Sequence, residues 1–165
     1  DRDYGLQLPR WLQIDFSSAV QKHAEEIETE VAPENIWELF QAIYFDAGPW
    51  RLGNYQVNRE DGVDKLQADL VKDGMSYALS GTGSGVVESF VSGMEGFIGK
   101  SIVLVEYSEH ALSHSADAEA ICYIQLNIDG ERVCGVGRSG DIIQASLDGI
   151  LGAINTAVKS QVAAA

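Results

Sequence analysis

The spacing of hydrophobic positions changes period as the chain is read. From Phe16, apolar residues recur at Val20, Ala24 and Ile27, and after the interruption "TEVAP" the pattern resumes at Ile36, Phe40 and Ile43. Spacings of three and four predict two short amphipathic helices. The second opens near Pro33, whose fixed φ and missing N–H suit a helix's first turn. "AGPWRLGN" then breaks the helical period. We expect a boundary near Gly48, with a helical segment over residues 1–47 and a second part over residues 48–165.

Beyond that boundary one order is written twice. A strand around Tyr55 to Arg59 precedes "KLQADLV" and "MSYALSG", a hairpin about Asp73-Gly74; "GTGSG" follows, then a helix with Val87, Val91, Met94 and Ile98 on one face. The strand "IVLVEY" precedes "AICYIQLNI" and "RVCGVG", a hairpin about Asp129-Gly130; "GVGRSG" follows, then a helix carrying Ile143, Leu147, Ile150, Ile154 and Val158. Asp-Gly between alternating segments is a strong hairpin signal. Each βββα unit has one apolar sheet face and one apolar helix stripe to bury. The expected fold is therefore α+β, two such units related by a pseudo-twofold axis and preceded by a small helical subdomain. In the second hairpin Ala120, Cys122, Ile124, Leu126 and Ile128 alternate with Glu119, Ile121, Tyr123, Gln125 and Asn127. That other face is only half polar, which predicts a further partner surface, a second copy of the chain being its simplest occupant.

The 165 residues, 45% of them hydrophobic, suffice for one domain with an appendage. A net charge of −14 repels nucleic acid phosphates and anionic membranes, so neither is expected as a partner. No run of about 18 apolar residues is present, and "DRDYGLQLPRW" lacks the build of a signal peptide. A cytoplasmic location is expected. Starting on Asp1 without methionine, the sequence is read as a piece of a longer protein. A two-residue turn at Asp129-Gly130 sets Cys122 opposite Gly137 and Cys134 opposite Gln125, on opposite faces, so the two thiols cannot bridge. Reduced, buried cysteines fit a reducing compartment.

Three stretches offer candidate chemistry. "SGTGSGVVESF" fails as a phosphate cradle, because Gly85 is followed by Val86 instead of lysine and the preceding strand belongs to a hairpin. Glycines that permit a tight strand-to-helix turn are the plainer reading. A helix N-terminus nonetheless presents free N–H groups, and two such turns, at Ser84-Gly85 and Ser139-Gly140, would suit a small anionic group such as a carboxylate. "EYSEHALSHSAD" places His110 and His114 near Glu106, Glu109 and Asp117; a metal site or a catalytic triad there competes with a simple polar loop, which is favoured because no helix aligns the two rings. "HAEEIETE", His23 to Glu30, reads as a solvated helix face.

Four segments in order, "YGLQLPRWLQIDFSSAVQ", "SGTGSG", "VEYSEHALS" and "GVGRSGDIIQASLDGI", resemble the C-terminal portion of the 2-isopropylmalate synthase family over nearly the whole chain. The resemblance implies a linker subdomain followed by a regulatory domain of two βββα units, which binds leucine at a homodimer interface and inhibits a distant (β/α)8 barrel. That barrel condenses acetyl-CoA with 3-methyl-2-oxobutanoate using a divalent metal. No catalytic residue and no cofactor is then expected in this chain. Carried over residue by residue, the leucine site comprises Ser84, Gly85, Val87, Glu88, Leu104, Tyr107, Ala111, Ala118, Ala120 and Ile142. Alanines leave room, Val87, Leu104 and Ile142 offer an apolar wall, and burying a leucine side chain against them contributes about 1.5–3 kcal/mol. Glu88 departs from the family's small residue; it could hold the ligand's ammonium, crowd the pocket or favour the helix start. Citramalate synthases share the architecture and respond to isoleucine, which leaves the effector open between the two amino acids.

Overall fold

The computed structural model describes residues 6–45, 48–112 and 118–164. Helices α1 (Arg10–Glu26) and α2 (Pro33–Tyr44) come first, then β1 (Arg51–Glu60), β2 (Val63–Lys72), β3 (Met75–Gly83), α3 (Val86–Ile98), β4 (Ile102–Ala111), β5 (Ala120–Ile128), β6 (Glu131–Ser139) and α4 (Ile142–Ala164). The expected α+β class and its doubled βββα order are both present. Each unit forms a three-stranded antiparallel sheet, β1-β2-β3 and β4-β5-β6. Asp73 and Asp129 stand at φ 52° and 49°, and Gly74 and Gly130 at 76° and 91°. Those paired left-handed residues are what a type I′ hairpin turn needs. The resulting register sets Cys122 opposite Gly137 and Cys134 opposite Gln125, as expected, and both cysteines are buried and free. Asp61-Gly62 makes a third turn of the same kind, at φ 54° and 75°.

Every strand but β5 runs past its expected bounds, β1 and β4 the furthest. β1 begins at Arg51, and β4 continues to Ala111, so the stretch from Glu106 to Ala111 is strand and not the start of a polar loop. The glycine-rich turns also have a different cause from the one expected. Gly81 and Gly83 lie inside β3, Gly135 and Gly137 inside β6, and none adopts a left-handed conformation. A Cβ on Gly81 would stand 1.9 Å from the Ser89 carbonyl oxygen, and one on Gly137 1.8 Å from that of Ala145. Each helix lies directly on its strand, and the opposing Gly93 and Gly149 amides would be 2.6 Å from the same added carbons. Close approach of two backbones, not turn geometry, excludes a side chain there.

α3 packs on β3 and β2 and reaches β4; α4 packs on β6 and β5 and reaches β1; the two helices touch. These reciprocal contacts place the helices between the sheets about an approximate twofold. A single core joins Leu66, Leu70, Phe90 and Met94 of the first unit to Ile124, Leu126, Leu147, Ile150 and Ile154 of the second. The outer faces differ. On β2, buried Leu66, Ala68 and Leu70 alternate with exposed Lys65, Gln67 and Asp69. β5 is buried on both faces, because Ile121 and Tyr123 pack with Cys134 and Val136 against Leu6, Leu12, Phe40 and Tyr44. The half-polar face expected to receive a second copy is thus covered by the chain's own α1 and α2. Their aromatic stripe supplies the cover: the Phe40 and Tyr44 rings stand 4.8 Å apart and Phe16 meets Phe40 edge-on at 5.2 Å. No described helix is long and apolar enough to cross a membrane.

Candidate functional site

The ten candidate residues fall into two groups. Ser84, Gly85, Val87 and Glu88 form the junction of β3 and α3; Leu104, Tyr107 and Ala111 lie on β4, Ala118 just before β5, Ala120 at its start and Ile142 at the start of α4. The ladder sets Leu104 opposite Leu126, Tyr107 opposite Ile124 and Ala111 opposite Ala120, so all of them point to the side of the sheet that faces the helices. The Tyr107 hydroxyl donates to Glu109 at 2.5 Å and lies 2.8 Å from Ser146 Oγ, which in turn donates to the Ile142 carbonyl. Burial, then the bond to Glu109, pushes the Tyr107 phenol well above its usual range, so its proton stays in place. This ties β4 to the first turn of α4 and gathers Tyr107 and Ile142 into one local group. Among the described residues, no hydrogen bond or ion pair joins Ser84–Glu88 to that group.

The two strand-to-helix turns, expected to be alike, are not. α3 has Gly85 as its N-cap and no side chain closing its first turn. At α4, Asp141 Oδ1 accepts the Ile143 amide at 2.9 Å, while the Asp141 amide donates to Ser139 Oγ at 3.1 Å. The Ser139-Gly140 turn therefore closes two of its own donors with side chains, whereas no side chain caps the first turn. Ser84 Oγ donates to the Glu88 carboxylate, and the Glu88 side chain lies over Gly83, where an added Cβ would meet Cγ at 2.9 Å. Glu88 thus stands in the first turn of α3, a favourable place for an acidic group.

Leu104, Tyr107 and Ile142 are 37%, 39% and 40% exposed, and Val103 and Ile143 beside them 56% and 40%. Three cavities of about 490, 480 and 460 Å³ occur in the described structure, and none is lined by any of the ten residues. Leu104, Tyr107 and Ile142 thus leave apolar surface partly exposed beside the start of α4.

Of the residues named for a metal site, His110, Glu106 and Glu109 lie on β4. His110 Nε2 is 2.8 Å from the Tyr123 hydroxyl on the outer face of the sheet, while Glu109 points to the other side and accepts a hydrogen bond from the Tyr107 hydroxyl. His114 and Asp117 lie outside the described residues. Among the described residues no three His, Cys, Asp or Glu side chains come together as a metal would require. In "HAEEIETE" the four glutamates, Glu25, Glu26, Glu28 and Glu30, are exposed, as expected of a solvated face. A polar loop after Tyr107 would not bring His110 to Tyr123; it is the strand alternation continuing past Tyr107 that puts both residues on one face.

A family model described as the LeuA allosteric (dimerisation) domain matches residues 30–158. The chain is 39% identical over 160 residues to the 2-isopropylmalate synthase of Thermobifida fusca, covering 96% of this chain and 28% of that protein. It is 36% identical over 160 residues to that of Mycobacterium leprae, covering 94% and 26%, and 32% identical over 161 residues to that of Brucella suis, covering 94% and 29%. The chain therefore spans a little over a quarter of the length of these curated relatives.

Proposed function

Because the chain belongs to the family of the LeuA allosteric (dimerisation) domain, we propose that it is the regulatory part of a 2-isopropylmalate synthase and senses leucine between two copies of itself. Residues 1–47 then form the linker subdomain and residues 48–165 the sensor. The condensation of acetyl-CoA with 3-methyl-2-oxobutanoate and its divalent metal belong to a barrel elsewhere in the longer protein, and this part contributes no catalytic residue. Two observations support the proposal: the α3 N-terminus at Gly85 has no side-chain cap, and the apolar side chains Leu104, Tyr107 and Ile142 are left partly exposed by one chain. A leucine carboxylate suits the free amides, its side chain suits the apolar surface, and a second copy would exclude water from both. Feedback then follows from preferential binding of leucine to one conformational state of the parent.

Calorimetric titration with leucine, isoleucine and valine, with light scattering to count subunits, tests this. Saturable binding to a dimer with leucine preferred is expected. A preference for isoleucine would move the parent to citramalate synthesis, and no heat from any of the three at millimolar ligand would leave a dimerisation scaffold. The contact between Glu88 and Ser84 favours that last reading, since it holds a negative charge at the helix start where a carboxylate would bind. Under it, Glu88→Ala creates leucine binding that the original chain lacks.

A further inference from the structure

β4 turns its two faces to two different partners. Tyr107 and Ala111 point toward the helix layer, whereas His110, opposite Ile121, points to the outer face covered by α1 and α2. There His110 Nδ1 is 3.1 Å from the Ala111 carbonyl oxygen, His110 Nε2 is 2.8 Å from the Tyr123 hydroxyl, and the Gln7 amide donates to that hydroxyl at 3.2 Å. A carbonyl can only accept, so Nδ1 carries the proton. With Nδ1 as the donor, Nε2 accepts a hydrogen bond from the Tyr123 hydroxyl, whose oxygen is left to accept from the Gln7 backbone amide. Every link of this chain runs in one direction. Tyr123 is fully buried, and burial pushes its phenol up to about 12, so the proton it donates is held at neutral pH.

We infer that His110, acting through Tyr123, is the positioning residue that ties the strand bearing the candidate amino-acid site to the segment leading into α1. This rests on the function proposed above. Gln7 sits between buried Leu6 and half-buried Leu8, one turn ahead of α1, so the tie holds the root of the helical subdomain. Displacement of β4 on its ligand side moves His110 on the other, because neighbouring residues of a strand are rigidly coupled through one backbone. The first unit has nothing comparable. Its corresponding positions carry exposed Asn58 opposite Lys65, and Gln67 in place of Tyr123.

The test compares the original chain with Tyr123→Phe, which removes only the hydroxyl, with His110→Phe, and with His110→Gln, whose carbonyl can still accept. Amide exchange over Gln7 to Leu12 is followed with and without leucine, and leucine affinity is measured beside it. Without ligand, Tyr123→Phe and His110→Phe should speed exchange there by about tenfold, while His110→Gln restores much of the protection. With leucine, the original chain should change its protection over this segment; Tyr123→Phe should bind leucine within about threefold and show no such change. Unaltered ligand-free exchange in both Phe variants overturns the tie, and a leucine response that survives in Tyr123→Phe overturns the transmission. If the original chain takes up no leucine the sensor reading falls with the transmission, and the ligand-free arm still decides the tie.

Discussion

The two βββα units share a plan down to single residues and differ in what they leave open. Gly81 and Gly93 in the first correspond to Gly137 and Gly149 in the second, each pair bringing a helix onto its strand. Tyr55 and Tyr107 both follow an irregularity in the edge strand, opposite Ala68 and Ile124. Yet where the second sheet has Ile121 and Tyr123 under α1 and α2, the first has exposed Lys65 and Gln67. Where the second helix is capped by Asp141, the first begins on Gly85 with no cap. The second unit is closed on both faces and at its helix start, so it acts as the frame. The first unit keeps one sheet face and one helix N-terminus free, the condition of a part that has still to meet a ligand or a partner.

The strongest way to break this comparison is to fill the strand glycines. A methyl at Gly137 meets backbone on a helix enclosed between two sheets, and the second sheet cannot retreat because α1 and α2 lie behind it. We expect Gly137→Ala to cost about 3 kcal/mol and Gly81→Ala about 2, since the first sheet can move toward solvent. Urea unfolding measures both, and equal losses would mean that the cover behind the second sheet does not stiffen it. Next in size is the outer face itself. Ile121→Ala should cost about 2 kcal/mol through the cavity it leaves, whereas Lys65→Ala at the corresponding position should stay within about 0.5 kcal/mol.

Much of this architecture was legible in the sequence. Asp-Gly between alternating runs fixed two hairpins and their registers, and the placement of both cysteines followed from parity alone. The helix stripes were clear because period and length agreed. Three features were not legible, because each depends on a contact that the period of apolar positions does not show. The glycines of β3 and β6 look like turn formers until a helix is laid across them. Ile121 and Tyr123 advertise a buried face but do not say which apolar surface covers it, and α1 and α2 reached it first. The equality of the two turns was assumed from Ser-Gly, whereas Asp141, one residue later, decides the second. As for the ten site residues, they came from family resemblance; pattern alone had singled out only the turns.

Exchanging the caps sharpens the contrast further. Gly85 holds the position that Asp141 holds in the second unit, it is extended at φ −155° and ψ 175°, and a Cβ there would meet nothing within 4 Å. Gly85→Asp should therefore stabilise α3 by a few tenths of a kcal/mol, roughly the advantage of aspartate over glycine as an N-cap. In the proposed reading it also abolishes leucine binding, because a resident carboxylate takes the amides meant for the ligand. A variant that is more stable and still binds leucine would place the carboxylate elsewhere.

The smallest effect is a matter of pH and lies wholly in the closed unit. Asp148 of α4 is half-buried, and burial raises its carboxyl above the ordinary value of 3.8, opposed by the bond it accepts from Gln144 Nε2 at 3.0 Å. A carboxyl with a higher pKa folded than unfolded holds its proton longer in the native state, so the native state binds more protons between the two values. Stability then falls as pH rises through that window, and the loss persists at neutral pH. Ser92, exposed at the corresponding place on α3, carries no such penalty. Asp148→Asn retains an oxygen for Gln144 and removes the charge. It should raise stability slightly at pH 7 and leave stability below about pH 3 nearly unchanged, since both states are then protonated. Unfolding curves at both pH values check the sign, and a loss at pH 7 would mean that the charged carboxylate has a favourable partner in the cavity lined by Arg51 and Arg138.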